Sequence, residues 1–444
     1  MRTLGWDTVF VISNSRVNAS LAQNLQHLLP TFDVSMATDP ALSAKGDLKS
    51  WEIVQGGSGK LLLVKLTILK GELTVGASHL PPELLALAGG AQFSGQDAPT
   101  DLAGVQVVLS LFLRVLPRPD ASEQELEFFL EQVAYSSDSS STPGFVTPVN
   151  VIDPSGKLSA IQKTLLSVAI AAYVVQNAQK ISFAFASINL VPPSANTWLT
   201  PVKSDYAYLE KTGAADGFLA VLSVTTNRDI SALPRSIDPG AISPGNTGSF
   251  LISDNVFLTN VILPYLPTAY ATTPNRFRLD ESAHAIRNNG SFETIPVKSG
   301  AITYYPVIDD LTINTDGEGL VTAIRGSCDL KAGINMTYQI RTRNRATFDP
   351  VNKTVSFQPD PNPESGHSAS IPWYFWFLGP IAVLITELVV KLISDSIAKS
   401  LDQLARDALS IARNPPTSIQ WTGARPIDVR TAGVNGDFFM MGDV

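Results

Sequence analysis

The sequence predicts an α+β protein that combines an extended, coiled antiparallel sheet with long helices. The segments KLLLVKLTILKGELTV (60–75) and GVQVVLSLFLRVLP (104–117) each run a dozen residues or more, whereas an ordinary strand has about five or six. Charged residues make up only 16% of the chain, against about 25% in typical soluble domains. Much apolar surface is therefore either buried or turned towards a ligand or partner.

Two helices are predicted in the N-terminal half from apolar residues at helical spacing. The first covers about residues 7–29, with Asp7 as its cap and Pro30 after its end. The second covers about residues 157–179 and carries its apolar residues on one side. A strand is predicted over ISFAFASINL (181–190).

A third helix is predicted over about 380–413, at the end of the most apolar stretch, 373–393. The uncharged apolar part, 371–386, is shorter than the roughly 20 residues that a membrane span needs. Beyond it, Glu387, Lys391 and Lys399 belong to a ladder of alternating charge with i, i+4 spacing, which is typical of a solvated helix face. We therefore expect a long amphipathic helix and no transmembrane anchor.

The region 250–358 is expected to alternate short strands and turns. Its clearest hairpin turns are NTDGEG (314–319) and DPVNK (349–353), and an exposed linker is predicted over 359–370. One elongated unit, 1–444, accounts for this order of elements. A division into subdomains 1–200 and 201–444 is compatible with it, the second being strand-rich and ending in the long helix.

Composition excludes several classes of function. The net charge of −8 disfavours nucleic-acid binding, which needs a basic surface. Cys328 is the only cysteine and the four histidines are scattered, so we expect no metal site and no cofactor. Catalytic motifs are not found, and we expect no enzyme. The N-terminus does not have the pattern of a signal peptide, which predicts synthesis in the cytoplasm.

One charged pattern is a candidate binding site. In MTYQIRTRNRAT, a strand would place Met336 and Tyr338 on one face and Arg341, Arg343 and Arg345 on the other. Guanidinium groups bind phosphates in a bidentate manner, so these arginines are candidates for holding anionic head groups. An ordinary solvated strand face is the alternative interpretation.

Six short pieces, spread in order along the whole chain, carry a resemblance to a known family. They are GWDTVF (5–10), FAFASINL (183–190), WLTP (198–201), YAY (206–208), WTG (421–423) and AGVNG (432–436). Together they resemble the OrfX and forty-seven-kilodalton group encoded beside clostridial neurotoxin genes, and through it the tubular lipid-binding (TULIP) superfamily. The resemblance implies a highly curved antiparallel sheet wrapped around long helices to form an apolar channel, with no catalytic residues.

The leading functional hypothesis is therefore non-enzymatic binding of a lipid or other apolar ligand, by an accessory protein that is released with a toxin or secreted complex. The candidate apolar helix face comprises Leu388, Val389, Leu392, Ile393 and Ile397. The alternative is a protein-interaction scaffold whose groove is filled by its own side chains. Membrane disruption by residues 371–413 is a third hypothesis.

Overall fold

A computed structural model of the chain describes residues 1–36, 42–76, 96–119, 122–135, 141–191, 197–210, 216–299, 301–330, 333–369, 380, 382–390 and 409–444. Its N-terminal strands are β1 (Thr8–Ser13), β2 (Thr31–Met36), β3 (Leu42–Ser58), β4 (Leu61–Val75), β5 (Gln96–Asp101), β6 (Gln106–Pro117), β7 (Glu123–Phe129), β8 (Gln132–Val133), β9 (Phe145–Ile152), β10 (Ala184–Asn189), β11 (Lys203–Leu209), β12 (Phe218–Val224) and β13 (Gly248–Ile252). Its C-terminal strands are β14 (Phe277–Asp280), β15 (Ala285–Asn288), β16 (Phe292–Glu293), β17 (Val297–Ser299), β18 (Ile302–Tyr304), β19 (Val307–Asp316), β20 (Gly319–Asp329), β21 (Asn335–Asp349), β22 (Thr354–Phe357), β23 (Glu364–Ala369), β24 (Ile419–Trp421), β25 (Asp428–Asn435) and β26 (Asp437–Asp443). Its helices are α1 (Asn14–Gln23), α2 (Ala160–Gln176), α3 (Asp254–Phe257), α4 (Leu266–Ala269) and α5 (382–390).

The described strands form three large sheets. A six-stranded sheet has the order β11-β12-β1-β13-β26-β25, and a ten-stranded sheet follows the path β2-β3-β4-β6-β7-β10-β24. An eight-stranded sheet follows the path β14-β15-β19-β20-β21-β22, and β17 pairs with β18 separately. The six-stranded sheet contains strands from both ends of the chain, so its core forms only when the two ends come together.

The N-terminus is where the sequence prediction is wrong. Residues 8–13 form β1, which is buried throughout and pairs with β12 and β13 on its two sides. The helix α1 begins only at Asn14, and Ser13 is its N-cap residue. Asp7 is no helix cap, because its carboxylate accepts a hydrogen bond from the Thr225 amide at 2.7 Å. The β-branched run in TVFVI suits a central strand, and pairing on both sides outweighs the helical spacing.

The ten-stranded sheet confirms the long strands and the curled antiparallel arrangement. Its strands β3 and β4 have 17 and 15 residues and pair with each other along most of their lengths. The irregular register at 47–50 and 54–58 marks β-bulges, which bend a strand and increase its twist. Strand β6 has 12 residues and pairs with β4, β7 and β9.

Helix α2 lies against the ten-stranded sheet and confirms the second predicted helix. It begins with a capping box in which the Ser159 hydroxyl accepts from the Gln162 amide and the Gln162 side chain accepts from the Ser159 amide. It contacts β2, β3, β6, β8 and β9. Residues 165–172 are buried without interruption, so α2 is a core helix surrounded by protein on most sides.

The eight-stranded sheet confirms both predicted hairpin turns. Its strands β14, β15, β16 and β22 are short as predicted, with two to four residues each, but three others are long. Strands β19, β20 and β21 have 10, 11 and 15 residues. The turn between β19 and β20 lies in NTDGEG, and the turn between β21 and β22 lies in DPVNK. The predicted linker 359–370 contains β23, an exposed strand that pairs with β21.

The predicted helix 380–413 is described in part. Residues 382–390 are helical, 391–408 lie outside the described residues, and Leu409–Ala412 form a 3-10 turn. The longest helix within the described ranges is therefore α2, with 17 residues. Among the helices that can be described, none combines the length and apolar character that a membrane crossing requires.

Candidate functional site

Strand β21 presents the three predicted arginines to solvent. Buried residues, among them Met336 and Tyr338, alternate along it with exposed ones, among them Arg341, Arg343 and Arg345. The predicted alternation of faces is thus confirmed. The three arginines nevertheless do not form one group, because their neighbours differ.

Arg343 and Arg345 are paired with carboxylates at the β19–β20 turn. Arg343 Nη2 lies 3.1 Å from Asp316 Oδ2, and Arg345 pairs with Glu318. All four side chains are more than half exposed, and ion pairs of this kind contribute roughly 0–1 kcal/mol to stability. These two arginines therefore pair with carboxylates at the β19–β20 turn and do not line the same space as Arg341.

Arg341 lies instead in a groove on the outer face of the eight-stranded sheet, which we call the arginine groove. Its volume is about 840 Å³. Four arginines line it, together with a floor of short side chains and two acidic residues: Arg278, Arg287, Arg325, Arg341, Thr312, Ala323, Asp310 and Glu364. Three of these arginines were not predicted from the sequence.

The strand register produces this groove. One row of directly opposite residues crosses the strands β14, β15, β19, β20, β21 and β23 in the order Arg278, Arg287, Thr312, Ala323, Arg341, Glu364. The short side chains of Thr312 and Ala323 lie in the middle of the row, and arginines lie on both sides. The result is a hollow with a neutral floor and cationic walls.

The wall formed by Arg278 and Arg287 has an electrostatic cost. The two residues are directly opposite on neighbouring strands, where like charges are destabilising. Arg287 Nε lies 3.1 Å from Asp280 Oδ2, which offsets part of this repulsion. The Ser282 hydroxyl and the Ala283 amide, followed by the charges of Arg287 and Arg278, hold the pKa of Asp280 below its usual value.

Two further arginines of the groove have carboxylates as register neighbours without pairing with them. Asp310 is opposite Arg325, and Glu364 is opposite Arg341. Among the described residues, neither Arg325 nor Arg341 forms an ion pair. Their guanidinium groups therefore keep hydrogen-bond donors for a ligand.

Helix α5 carries the described part of the predicted apolar face. Val389 is buried and Leu388 is half-buried, while Leu392, Ile393 and Ile397 lie outside the described residues. The exposed apolar side chains of α5 are Val383 and Leu384, with 42% and 37% of their surface accessible. They precede the exposed Glu387 by four and three residues, a spacing that places all three on one helix face.

No cluster of three or more metal-ligating side chains occurs within the described ranges. The groove offers charge and hydrogen-bond donors but no nucleophile paired with a base. What it can do chemically is bind an anion. The fold and the groove together define a mostly antiparallel β protein with a recess lined by four arginines.

The chain belongs to the OrfX-like family. The family model, described as Protein OrfX2/OrfX3/P47, matches residues 3–356. This confirms the family that the short sequence pieces predicted.

Curated relatives and solved structures agree with this assignment. Protein P47 of Clostridium botulinum (strain Kyoto / Type A2) is 26% identical over 465 residues and covers 100% of both chains. Protein OrfX3 of the same organism is 24% identical over 287 residues, which cover 60% of this chain and 55% of OrfX3. The structure of P47 from Clostridium botulinum A2 superposes with a TM-score of 0.72 at 23% identity, covering 100% of this chain and 98% of P47. P47 of Clostridium botulinum E1 superposes with a TM-score of 0.68 at 23% identity, covering 99% of both chains.

Proposed function

We propose that this protein acts through protein–protein contacts, as a non-enzymatic accessory component of a toxin-type or secreted complex. It would be made in the cytoplasm and released with that complex. The family supports this proposal, since the group it resembles is encoded beside neurotoxin genes. The proposal therefore takes the partners to be proteins encoded near its own gene.

The observation that carries this proposal is the filled space around α2. The side chains of residues 165–172 are between 0% and 8% exposed. An open channel along this helix would leave apolar side chains in contact with empty or solvent-filled space. Their almost complete burial favours a scaffold whose interior is occupied by its own residues.

The test combines native mass spectrometry with reconstitution. The purified protein is mixed with each protein encoded next to its gene, and the mixtures are analysed by size exclusion and native mass spectrometry. We expect a stoichiometric complex with at least one neighbour and a mass equal to that of the chain when the protein is alone. A stoichiometric lipid on the isolated protein, together with no complex, would overturn the proposal.

Lipid or apolar-ligand binding is the second candidate, and α5 is the observation that favours it. Val383 and Leu384 are exposed beside the half-buried Leu388. Each CH₂ group of an acyl chain buried there would contribute about 0.8 kcal/mol. A tubular lipid-binding arrangement is the finer fold proposal that accompanies this function, with Arg341, Arg343 and Arg345 as candidates for the head group.

Two exposed leucines make a matched test of this second candidate. Leu384→Asp changes the α5 face, and Leu69→Asp changes an exposed leucine of β4 that is 54% accessible. Lipid binding predicts that the wild type and the Leu69 variant bind phosphatidylcholine vesicles in flotation, while the Leu384 variant does not. Equal flotation of both variants would exclude α5 as the lipid-contacting face.

A further inference from the structure

We propose that the arginine groove binds an extended acidic segment of a partner protein. The inference rests on the protein-interaction function proposed above and names the surface and the chemistry of the contact. It concerns Arg278, Arg287, Arg325 and Arg341, which belong to the four strands β14, β15, β20 and β21 and lie together on one face of the sheet.

Charge is the first argument. The whole chain has 32 Lys and Arg against 40 Asp and Glu, yet four arginines and only two carboxylates line this groove. Arg278 and Arg287 are held directly opposite each other at an electrostatic cost, and a bound carboxylate would relieve it. Arginine binds carboxylates with two parallel hydrogen bonds, which gives both affinity and orientation.

Shape is the second argument. The groove crosses the strands, and Arg278 and Arg341 are separated by four strand spacings in the row. At about 4.8 Å per spacing this is roughly 19 Å, the length of about six residues of extended chain. The floor at Thr312 and Ala323 is low enough for a backbone to lie across it, with side chains reaching the arginines on both walls.

The acidic residues of the groove decide between ligand classes. Asp310 and Glu364 would repel a compact polyanion, because they lie opposite Arg325 and Arg341 on the same face. An acidic polypeptide can satisfy both kinds of charge in the groove. Its acidic side chains can pair with the guanidinium groups, and its backbone N–H groups can donate to the carboxylates of Asp310 and Glu364. The side chain of Gln339 also lines the groove, and its amide can donate a hydrogen bond to a carboxylate of the peptide or accept one from a backbone N–H.

The experiment uses the full chain and a fluorescein-labelled hexaglutamate peptide in fluorescence anisotropy at low salt. The double variant Arg287→Gln/Arg341→Gln removes one arginine from each wall. Its matched control, Arg343→Gln/Arg345→Gln, removes the same charge from the exposed pairs at the β19–β20 turn. We expect the groove variant to weaken peptide binding by about tenfold or more, because each lost contact is a charge-assisted hydrogen bond. The control variant should change the affinity by less than about twofold.

A third variant separates the groove from net charge. Ala323→Tyr raises the floor without removing an arginine, and it lies on an exposed strand position that accepts aromatic residues. It should also abolish most peptide binding while its thermal unfolding stays close to that of the wild type. Equal peptide binding by the groove variants and the control would overturn the proposal.

Two competitors test the ligand class. Inositol hexakisphosphate represents a soluble compact polyanion, and phosphatidylserine vesicles represent a lipid surface. Stronger binding of either one than of the peptide, lost in the groove variant, would overturn the peptide assignment. If the neighbour complex forms but the wild type does not bind the peptide, this inference fails and the proposed function stands. If the groove binds the peptide in a protein that carries lipid and forms no complex, the proposed function fails instead.

Discussion

The backbone N–H of Asp254 donates a hydrogen bond of 3.0 Å to the carboxylate of Asp437, and both side chains are buried. The other oxygen of Asp437 accepts from the Thr3 amide at 2.5 Å. One carboxylate near the C-terminus thus holds the start of the chain and the start of α3. This arrangement closes the six-stranded sheet against the helix that follows β13.

Replacing Asp437 by Asn should destabilise the fold by about 1–3 kcal/mol. The amide group would place an N–H donor opposite the Thr3 or Asp254 amide, so one buried donor would have no acceptor. Urea unfolding followed by circular dichroism measures the change. Asp443→Asn is the control on the same strand, because the side chain of Asp443 is 40% exposed and is paired with Arg430. An equal effect of both substitutions would contradict the prediction.

The same carboxylate gives a pH dependence with a definite sign. Burial, and the nearby charge of Asp254, raise the pKa of Asp437 above its ordinary 3.8. Folding therefore favours the protonated form. The stabilisation that results from this preference is fully present below the pKa of Asp437 in the unfolded chain, and it is lost as the pH rises through the raised pKa in the folded protein. We expect the free energy of unfolding of the wild type, relative to Asp437→Asn, to decrease over that interval. If the difference between the two free energies of unfolding stays constant from pH 3 to pH 8, the pKa of Asp437 does not change on folding and the prediction is wrong.

Tyr206 should be a second sensitive position, because its phenol joins two sheets. Its hydroxyl donates to the Lys60 carbonyl at 2.7 Å and accepts from the Leu113 amide at 2.7 Å. Burial raises the pKa of Tyr206, so the hydroxyl remains a donor. Tyr206→Phe removes the hydrogen-bond partner of the buried Leu113 amide and of the part-buried Lys60 carbonyl, and should cost about 1–3 kcal/mol. Thermal unfolding checks this, with the half-exposed Tyr305→Phe as a control that we expect to be silent.

Helix α5 provides a direct test of which of its faces is core. Ile385 has no accessible surface, whereas Val383 is 42% exposed two residues earlier. Ile385→Asp should unfold or aggregate the protein, since an unpaired buried carboxylate costs several kcal/mol. Val383→Asp should change stability by less than about 0.5 kcal/mol. Expression level, size exclusion and melting temperature compare the two, and a stable Ile385 variant would show that α5 does not pack as described.

The sequence predicted an element correctly where the pattern of residues within one segment was sufficient to indicate it. The alternation along β21 placed Arg341, Arg343 and Arg345 on the exposed face, and the long runs 60–75 and 104–117 became β4 and β6. The helix at 157–179 also appears, with ends at Ala160 and Gln176. In each case the period of the apolar residues and the backbone preference agree.

It failed at residues 8–13 for a physical reason. Apolar spacing through Phe10 continued into the real helix, so the strand and the helix had the same periodic signal. Residues 8–13 form a strand and not a helix because β12 and β13 pair with β1 on its two sides. Both strands are more than 200 residues away in the chain. Tertiary pairing outweighed a weak local preference.

The groove shows the same division between local and distant information. The sequence by itself determined that Arg341 faces solvent, because alternation in a strand depends only on neighbouring residues. Only the tertiary structure decided that Arg278, Arg287 and Arg325 lie beside it, because their positions depend on the register of each strand with its partner and on the pairing of β15 with β19, which are not consecutive in the chain. A shift of one residue in any of these pairings would move a strand's side chains to the opposite face. The exposure of Arg341 therefore follows from the sequence of one strand, whereas the groove forms only when several strands pair in the correct register.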